Sequence, residues 1–185
     1  MAGRTLIVVT GAPCAGKTTL AELLGRELSL PVIHRDALKE TLFDTLGSGN
    51  RAWSRTLGGA SYDLLFSVLE TLLRAGCPCI AESNFEAGRA ANRLRGLYET
   101  CSFTPVEILC TADLETLRRR YQARLASRHP GHVDHLNLDE ISAWWTGGRH
   151  GSLDLGGRSI LVDTTEFGHN GQELLVSRLQ KILGG

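Results

Sequence analysis

Lysine is scarce in this sequence, and arginine carries most of the positive charge. The chain of 185 residues has 3 Lys and 17 Arg, and its 20 cations are balanced by 20 carboxylates, so the formal net charge is zero. A neutral chain is not drawn to nucleic acid or to an anionic membrane by its overall charge. A local basic stripe is still compatible with this balance.

Long apolar runs are missing as well. No stretch approaches the roughly 18 apolar residues of a membrane-spanning helix, and the N-terminal run TLIVVT is too short for a signal peptide. The five cysteines are odd in number and show no disulfide spacing. Cys77 and Cys79 fall in an apolar run and are expected in the core. These absences favour a cytoplasmic protein that does not bind membranes, and nothing indicates its oligomeric state.

The order of apolar runs predicts one α/β domain over residues 1–185. Strands are predicted at 5–10, 31–34, the centre of 76–85, 105–110 and 159–164. Helices are predicted at 17–28, from Asp36 onward, 60–75, 86–99, 114 to about 128, and 172–183. Strands that alternate with helices are typical of a parallel sheet covered on both faces.

Two segments lack a helical or strand period. Residues 47–59, GSGNRAWSRTLGG, are predicted to form a loop. Residues 129–157 contain Gly, His and Asp, and we expect an irregular insertion that moves.

The segment GAPCAGKTT matches the phosphate-binding pattern G-x-x-x-x-G-K-[ST] between a predicted strand and a predicted helix. Two glycines let the backbone N–H groups face inward, the lysine reaches the outer phosphates, and the first threonine is suited to Mg²⁺. The pattern predicts a site for a nucleoside triphosphate and Mg²⁺. Its residues are Gly11, Ala12, Pro13, Cys14, Ala15, Gly16, Lys17, Thr18 and Thr19. The cysteine is expected to fill space rather than to react.

Missing motifs disfavour other classes of nucleotide-binding protein. The N-K-x-D segment by which GTPases bind guanine is absent, and so is the LSGGQ-like signature of transporter ATPases. DLGG at 154–157 matches D-x-x-G, but that pattern is too short to carry weight. A single loop in a short chain, followed by several arginines, favours a phosphotransferase.

The segment GAPCAGKTTLAELLGRELSLPVIHRDALKETL resembles the small P-loop kinases grouped with chloramphenicol phosphotransferase, gluconate kinase, polynucleotide kinase and zeta-toxin kinases. The resemblance continues through an Asp after the second strand, an acidic end of the third strand and an Arg-rich helix. It implies a three-layer P-loop NTPase fold with a lid at about 118–150. It also implies ATP and Mg²⁺ as cofactors, and transfer of the γ-phosphate to a hydroxyl group.

Asp36 stands just beyond the predicted second strand, at the edge where open α/β sheets bind ligands. A carboxylate there could take the proton of an attacking hydroxyl, and the resemblance places the catalytic Asp at this position. An N-cap of the following helix is the alternative, and one residue could do both. Lys39, one turn later, is expected either at acceptor or phosphate or on a solvated helix face.

Two carboxylates are candidates for orienting the Mg²⁺ shell. Glu82 follows the apolar run in CPCIAESNF, and Asp163 ends SILVDT. The resemblance favours Glu82, although many relatives carry the shorter Asp there, and it places Asp163 near the nucleotide base.

Arginines dominate the segment LRRRYQARLASRHPGH. Arg120, Arg124 and Arg128 recur every four residues and would share one helical face. Bidentate contacts from them would stabilise charge on the transferring phosphoryl group. A solvated basic face is the alternative, and the resemblance supports the lid, most of all for Arg120 and Arg124.

Three histidines spaced by three, His129, His132 and His135, suggest a metal site. Pro130 and Gly131, which lie between His129 and His132, break a helix and favour a mobile lid turn instead. Trp144 and Trp145 are expected to pack within the lid rather than to contact a substrate ring.

The acceptor itself is not named by any motif. We expect a small molecule with a hydroxyl group, contacted by residues 43–60, which include Arg51, Trp53 and Arg55. Two alternatives stay open: a polynucleotide 5′-hydroxyl kinase, and a regulatory module that binds ATP without catalysis.

Overall fold

Five parallel strands form one sheet in the computed structural model, which describes residues 4–125, 128–132, 138–147 and 150–184. The strands are β1 (Thr5–Gly11), β2 (Val32–His34), β3 (Cys79–Glu82), β4 (Thr104–Thr111) and β5 (Arg158–Asp163). Their order across the sheet is β2-β3-β1-β4-β5. The described helices are α1 (Lys17–Leu28), α2 (Arg35–Leu46), α3 (Arg51–Arg74), α4 (Ala87–Cys101), α5 (Leu114–Leu125), α6 (Leu138–Thr146) and α7 (His169–Leu183).

Strand β1 lies in the middle of this sheet and is buried along its whole length. Its side chains alternate between the two faces. Leu6 and Val8 pack with core residues of α3 and α4. Ile7 and Val9 pack with core residues of α1 and α7 on the other side. Both faces of the strand are therefore covered, which explains the continuous apolar run and confirms the predicted α/β fold.

The carboxyl ends of the first three strands meet at one edge of the sheet. Glu82, the last residue of β3, is paired in register with Val9 of β1 and with His34 of β2. The backbone N–H of Ser83 then donates to the carbonyl oxygen of Val9 at 3.3 Å. The loops that follow β1, β2 and β3 consequently start side by side, and any site they form lies at this edge.

Both segments predicted to be irregular contain a helix. The loop prediction for 47–59 is wrong from Arg51 onward, where α3 begins. Asn50 caps this helix, because its Oδ1 accepts a hydrogen bond from the backbone N–H of Trp53 at 3.0 Å. Within 129–157, α6 occupies Leu138–Thr146. None of the described helices is both long enough and apolar enough to cross a membrane.

Candidate active site

The phosphate-binding loop is shaped by three residues with positive φ. Gly11 has φ 136°, Cys14 has φ 66° and Gly16 has φ 74°. A Cβ atom at Gly11 would collide with the carbonyl oxygen of Cys110 in β4. Only glycine fits there, so β1 and β4 stay in register up to the start of the loop. Left-handed residues of this kind turn successive N–H groups toward one concave side, which suits an anion.

Lys17 and Thr18 follow the loop at the start of α1. The Lys17 side chain is mostly buried and its Nζ donates to the carbonyl oxygen of Ala12 at 2.9 Å. Both residues, together with Pro13 and Cys14, line a cleft of about 580 Å³. Ala15 belongs to the core and Thr19 is exposed. The predicted loop residues thus form one end of a cavity that is large enough for a small-molecule ligand.

Asp36 lies in the first turn of α2 and lines the same cleft. The N-cap of this helix is His34, so the prediction of a capping role for Asp36 is wrong. Burial by itself would raise the pKa of Asp36, but the positive charges of Arg35, Lys17 and Arg124 oppose it, and the pKa is lowered. The carboxylate is therefore ionised near neutral pH and is available to accept a proton.

Glu82 lines the cleft with Lys17 and Thr18, and its side chain is buried. Its Oε2 lies 2.9 Å from Nδ1 of His34. This hydrogen bond, with the negative charge of Glu82, raises the pKa of His34 despite its burial. Asp163, the other candidate, is exposed at the end of β5 and accepts a hydrogen bond from the backbone N–H of Thr165 at 2.9 Å. It does not line the cleft.

The three predicted arginines of the lid are not equivalent. Arg124 and Arg128 line the cleft. Arg120 does not line it; its Nη1 donates to Thr164 Oγ1 at 2.9 Å and its Nη2 to the carbonyl oxygen of Thr164 at 2.7 Å. The same Nη1 is 3.4 Å from the carbonyl oxygen of Cys14. Arg120 therefore contacts the phosphate-binding loop and Thr164 instead of facing the cleft. Helical spacing with Arg124 and Arg128 did not predict this position.

Thr164 is the partner that the sequence analysis missed. Its hydroxyl lies 3.2 Å from the carbonyl oxygen of Ala15 and 3.0 Å from that of Thr111. A Cβ atom at Gly16 would lie 3.2 Å from this hydroxyl, so the second loop glycine is also needed for close approach. No sequence pattern singles out this threonine, because its contacts all cross from β5 to other parts of the sheet edge.

A turn at 128–132 rests on α2. The ring of Phe43 stacks on that of His129, with 5.7 Å between centroids, and makes an edge contact with His132 at the same distance. His132 is buried, with its Nε2 2.9 Å from Oε1 of Glu40. These contacts hold His129 and His132 against α2, and their role in a mobile lid turn stays a prediction. His135 lies outside the described residues, and within the described part of the chain no group of three or more His, Cys, Asp or Glu could hold a metal ion.

Trp145 connects α6 to the phosphate-binding loop. Its Nε1 donates to the carbonyl oxygen of Pro13 at 3.0 Å, and its ring lies edge-on to Tyr121 with 6.2 Å between centroids. This is the packing role that was predicted; the Trp144 side chain lies outside the described residues. Cys14 packs in the same group. Burial raises the pKa of its thiol in spite of Arg124 and Lys17, which agrees with a space-filling role.

Helix α3 supplies a wall of the cleft, and only its first part, residues 51–59, was predicted to be a loop rather than a helix. Arg51, Arg55 and Tyr62 line the cavity on one side of this helix, with a pair of glycines between them. Arg35 of α2 faces them, and its guanidinium lies 4.5 Å from the ring centroid of Tyr62. Gly58 and Gly59 weakened the helical pattern in the sequence, since glycine is among the weakest helix formers.

Comparison with known proteins places the chain in a family. Residues 6–147 match the AAA_33 family, described as an AAA domain, and the chain belongs to this family. No curated protein matches the sequence.

Solved structures agree with the fold. A protein from Chloroflexus aurantiacus J-10-fl, named a putative kinase, is 35% identical with a TM-score of 0.91, over 99% of this chain and 100% of that one. Kti12 of Chaetomium thermophilum, in complex with ADP-AlF3, is 17% identical with a TM-score of 0.67, over 97% and 100%. The APS kinase of Mycobacterium tuberculosis, in complex with AMPPNP and APS, is 16% identical with a TM-score of 0.60, over 99% and 98%. The resemblance to small P-loop kinases is confirmed.

Proposed function

We propose that this protein is a kinase that transfers the γ-phosphate of ATP to a hydroxyl group of a small molecule. One observation carries the proposal: Lys17, at the phosphate-binding loop, and Asp36, an ionised carboxylate, line the same cleft of about 580 Å³. A holder of phosphate and an acceptor of protons are the two parts that transfer to a hydroxyl requires. The name of the Chloroflexus relative supports phosphotransfer.

The loop end of the cleft would hold the nucleotide. The backbone N–H groups of the non-proline residues of 11–16 and the ammonium of Lys17 suit the phosphates, and nucleotide analogues appear in the names of two structures with this fold. The Thr18 hydroxyl and the Glu82 carboxylate offer the oxygen ligands that Mg²⁺ prefers, with the remaining ligands from water and phosphate. Bound there, Mg²⁺ would neutralise charge on the phosphates.

Asp36 would receive the proton of the acceptor hydroxyl as its oxygen attacks the phosphorus. The lowered pKa keeps this carboxylate deprotonated, and Arg35 beside it, with Nη1 3.4 Å from Oδ1, holds it in place. Arg124 and Arg128 line the cleft and would stabilise charge on the phosphoryl group in transit. We assign Arg120 a positioning role through its contacts with Thr164 and Cys14.

Residues of about 118–150 would close over the nucleotide as a lid, within a single domain of residues 1–185. The described parts of this segment touch the cleft at several points: Arg124 and Arg128 line it, and Trp145 binds the loop at Pro13. Closure of such a segment excludes water from the transferring phosphate, which protects the nucleotide from hydrolysis.

The test is a screen of ATP consumption with a panel of hydroxyl-bearing metabolites, antibiotics and 5′-hydroxyl oligonucleotides. We expect one small molecule to receive one phosphate for each ATP consumed. Transfer only to oligonucleotides, with a rate that falls steeply with salt, would identify a polynucleotide kinase instead. ATP binding or slow hydrolysis without transfer to any member would favour the regulatory module and refute the kinase.

A further inference from the structure

We infer that the acceptor carries an anionic group, a phosphate, sulfate or carboxylate, in addition to its hydroxyl, and that α3 recognises this anion through Arg51 and Arg55. The inference rests on the proposed function, since it concerns the molecule that fills the rest of the cleft.

The cleft is strongly basic although the chain as a whole is neutral. Eight of the residues that line it are Lys or Arg, while three are Asp or Glu. The whole chain has 20 of each. Positive charge is therefore concentrated in one concave site, where low-dielectric walls strengthen the potential and attract anions.

The nucleotide accounts for only part of this charge. Lys17, Arg124 and Arg128 lie at the loop and lid end, where the triphosphate would bind. The other five cations come from α2, α3 and α4, and they are Arg35, Lys39, Arg51, Arg55 and Arg93. A neutral acceptor would make no use of the positive potential that these residues add to the cleft.

The carboxylates on this side compensate some of the five cations. Arg93 donates to Oδ1 of Asp63 at 2.8 Å, so its charge is matched. Arg35 approaches Asp36 only to 3.4 Å, and its Nε has no hydrogen-bond partner among the described residues. Lys39 is buried and donates to the Ser54 hydroxyl at 2.9 Å. Basic residues still outnumber acidic ones along the cleft, and this excess of positive charge would attract an anionic ligand.

The residues of α3 that line the cleft recur at helical spacing, so they lie on one side of the helix. Arg51 and Arg55 lie at its first turns, then Gly58 and Gly59, then Tyr62. Glycines inside a helix are unfavourable unless something needs the space. A Cβ at Gly59 would meet nothing within 4 Å, so the fold does not require glycine there. The missing side chain leaves room for the body of a ligand whose anion reaches the two arginines.

The experiment measures binding in the presence of Mg²⁺ and a saturating non-hydrolysable ATP analogue. Matched pairs serve as probes: ribose with ribose 5-phosphate, glucose with glucose 6-phosphate, glucose with gluconate, and glucosamine with glucosamine 6-sulfate. A 5′-hydroxyl oligonucleotide is added as a separate probe. Affinities come from the shift of the melting temperature with probe concentration.

We expect at least one anionic member to bind about tenfold or more tightly than its neutral partner, the size of a charged hydrogen bond. The double variant Arg51→Gln/Arg55→Gln should lose this preference. The control Arg158→Gln/Arg178→Gln removes the same charge from exposed positions outside the cleft and should retain it. Gly59→Ala should weaken probe binding without lowering the melting temperature of the protein alone.

Equal affinity within every pair would overturn the inference, and so would a preference that survives in the Arg51→Gln/Arg55→Gln variant. Binding of the oligonucleotide alone would overturn it as well. Because the analogue is not hydrolysed, this result is independent of transfer. An anion preference without any kinase activity would refute the proposed function but support the anion site. Transfer to neutral acceptors alone would support the kinase and refute the anion site.

Discussion

Nζ of Lys17 lies 2.9 Å from the carbonyl oxygen of Ala12, so the lysine is bonded to its own loop. The ammonium is held at the concave side, and a phosphate oxygen would replace the weaker carbonyl acceptor. We predict that Lys17→Ala lowers phosphoryl transfer by about 10²–10³-fold or more, as for other removed stabilisers of transition-state charge. The melting temperature should change little. Turnover and thermal unfolding are measured beside Lys181→Ala, an exposed lysine of α7. Wild-type turnover in a folded Lys17→Ala protein would refute the loop assignment.

Asp36→Asn keeps the shape of the side chain and removes its negative charge. We predict that transfer falls by about 10²–10⁴-fold, the usual contribution of a general base. ATP affinity should be nearly unchanged. Since His34 is the N-cap, stability should decrease by no more than about 1 kcal/mol, the value of an acid in the first helical turn. Rate, affinity and melting temperature are compared for wild type, Asp36→Asn and Asp36→Ala. Full activity of the Asn variant would exclude Asp36 from the mechanism.

A lid that closes on phosphates should be ordered by them. We predict that an ATP analogue with Mg²⁺ slows amide hydrogen exchange in residues 118–125 and 138–147, since Arg124 lines the cleft and Trp145 binds the loop. Exchange measured by mass spectrometry with and without analogue tests this, with α4 as internal reference. Unchanged exchange at saturating analogue would indicate a fixed insertion.

Gly131 is packed against the ring of Phe43 so tightly that a Cβ atom would collide with it. We predict that Gly131→Ala costs about 1–3 kcal/mol, as overpacking does, and loosens the turn at 128–132. Gly96→Ala is the matched control: it lies inside α4 with no atom within 4 Å of its Cβ. That change should stabilise the protein by about 0.5–1 kcal/mol. Urea unfolding of both variants measures the difference, and equal stabilities would contradict the packing.

His132 should make stability depend on pH. Burial lowers its pKa and outweighs the hydrogen bond that His132 donates to Glu40 and the charge of Asp36, while Arg128 and Lys39 lower it further. The folded protein thus binds this proton less readily than the unfolded chain. Its stabilising contribution is present above about pH 6.5, the usual pKa of histidine, and decreases as the pH falls below that value.

The measurement is the free energy of unfolding of wild type and His132→Gln between pH 8 and about pH 5. We expect the advantage of the wild type to shrink toward acid by at most about 1.4 kcal/mol for each pH unit. Groups common to both proteins cancel in the difference. An advantage that stays constant or grows toward acid would show that the pKa of His132 is not lowered.

Local patterns were enough to predict the sheet and the loop. The run TLIVVT and the motif after it depend on neighbours in sequence, and so does the acid at the end of β3. What sequence could not predict depends on distant contacts. The Arg120 side chain is directed by Thr164, 44 positions away, and its helical spacing with Arg124 says nothing about that partner.

The start of helix α3 was predicted wrongly for a different reason, because the local sequence pattern itself was misleading. Gly58 and Gly59 weakened the helical pattern of residues 51–59, and tertiary packing of Leu57 and Leu65 overrides them. The glycines that concealed the helix are the same ones that open the cleft. Local propensity thus fails at a position that the inferred acceptor site uses.

The central position of β1 has a consequence for synthesis. The phosphate-binding motif leaves the ribosome before β3 and β4 do, but the strand that precedes it is paired with both of them, and they begin 74 and 99 positions later than Thr5. Contacts this distant in sequence form slowly. Until β4 has been made, TLIVVT has no complete sheet to join and remains exposed apolar surface on the nascent chain. A chain that stops before Thr104 can pair β1 with β3 but leaves the other edge of β1 without β4, and transiently exposed apolar strands of this kind are prone to aggregate.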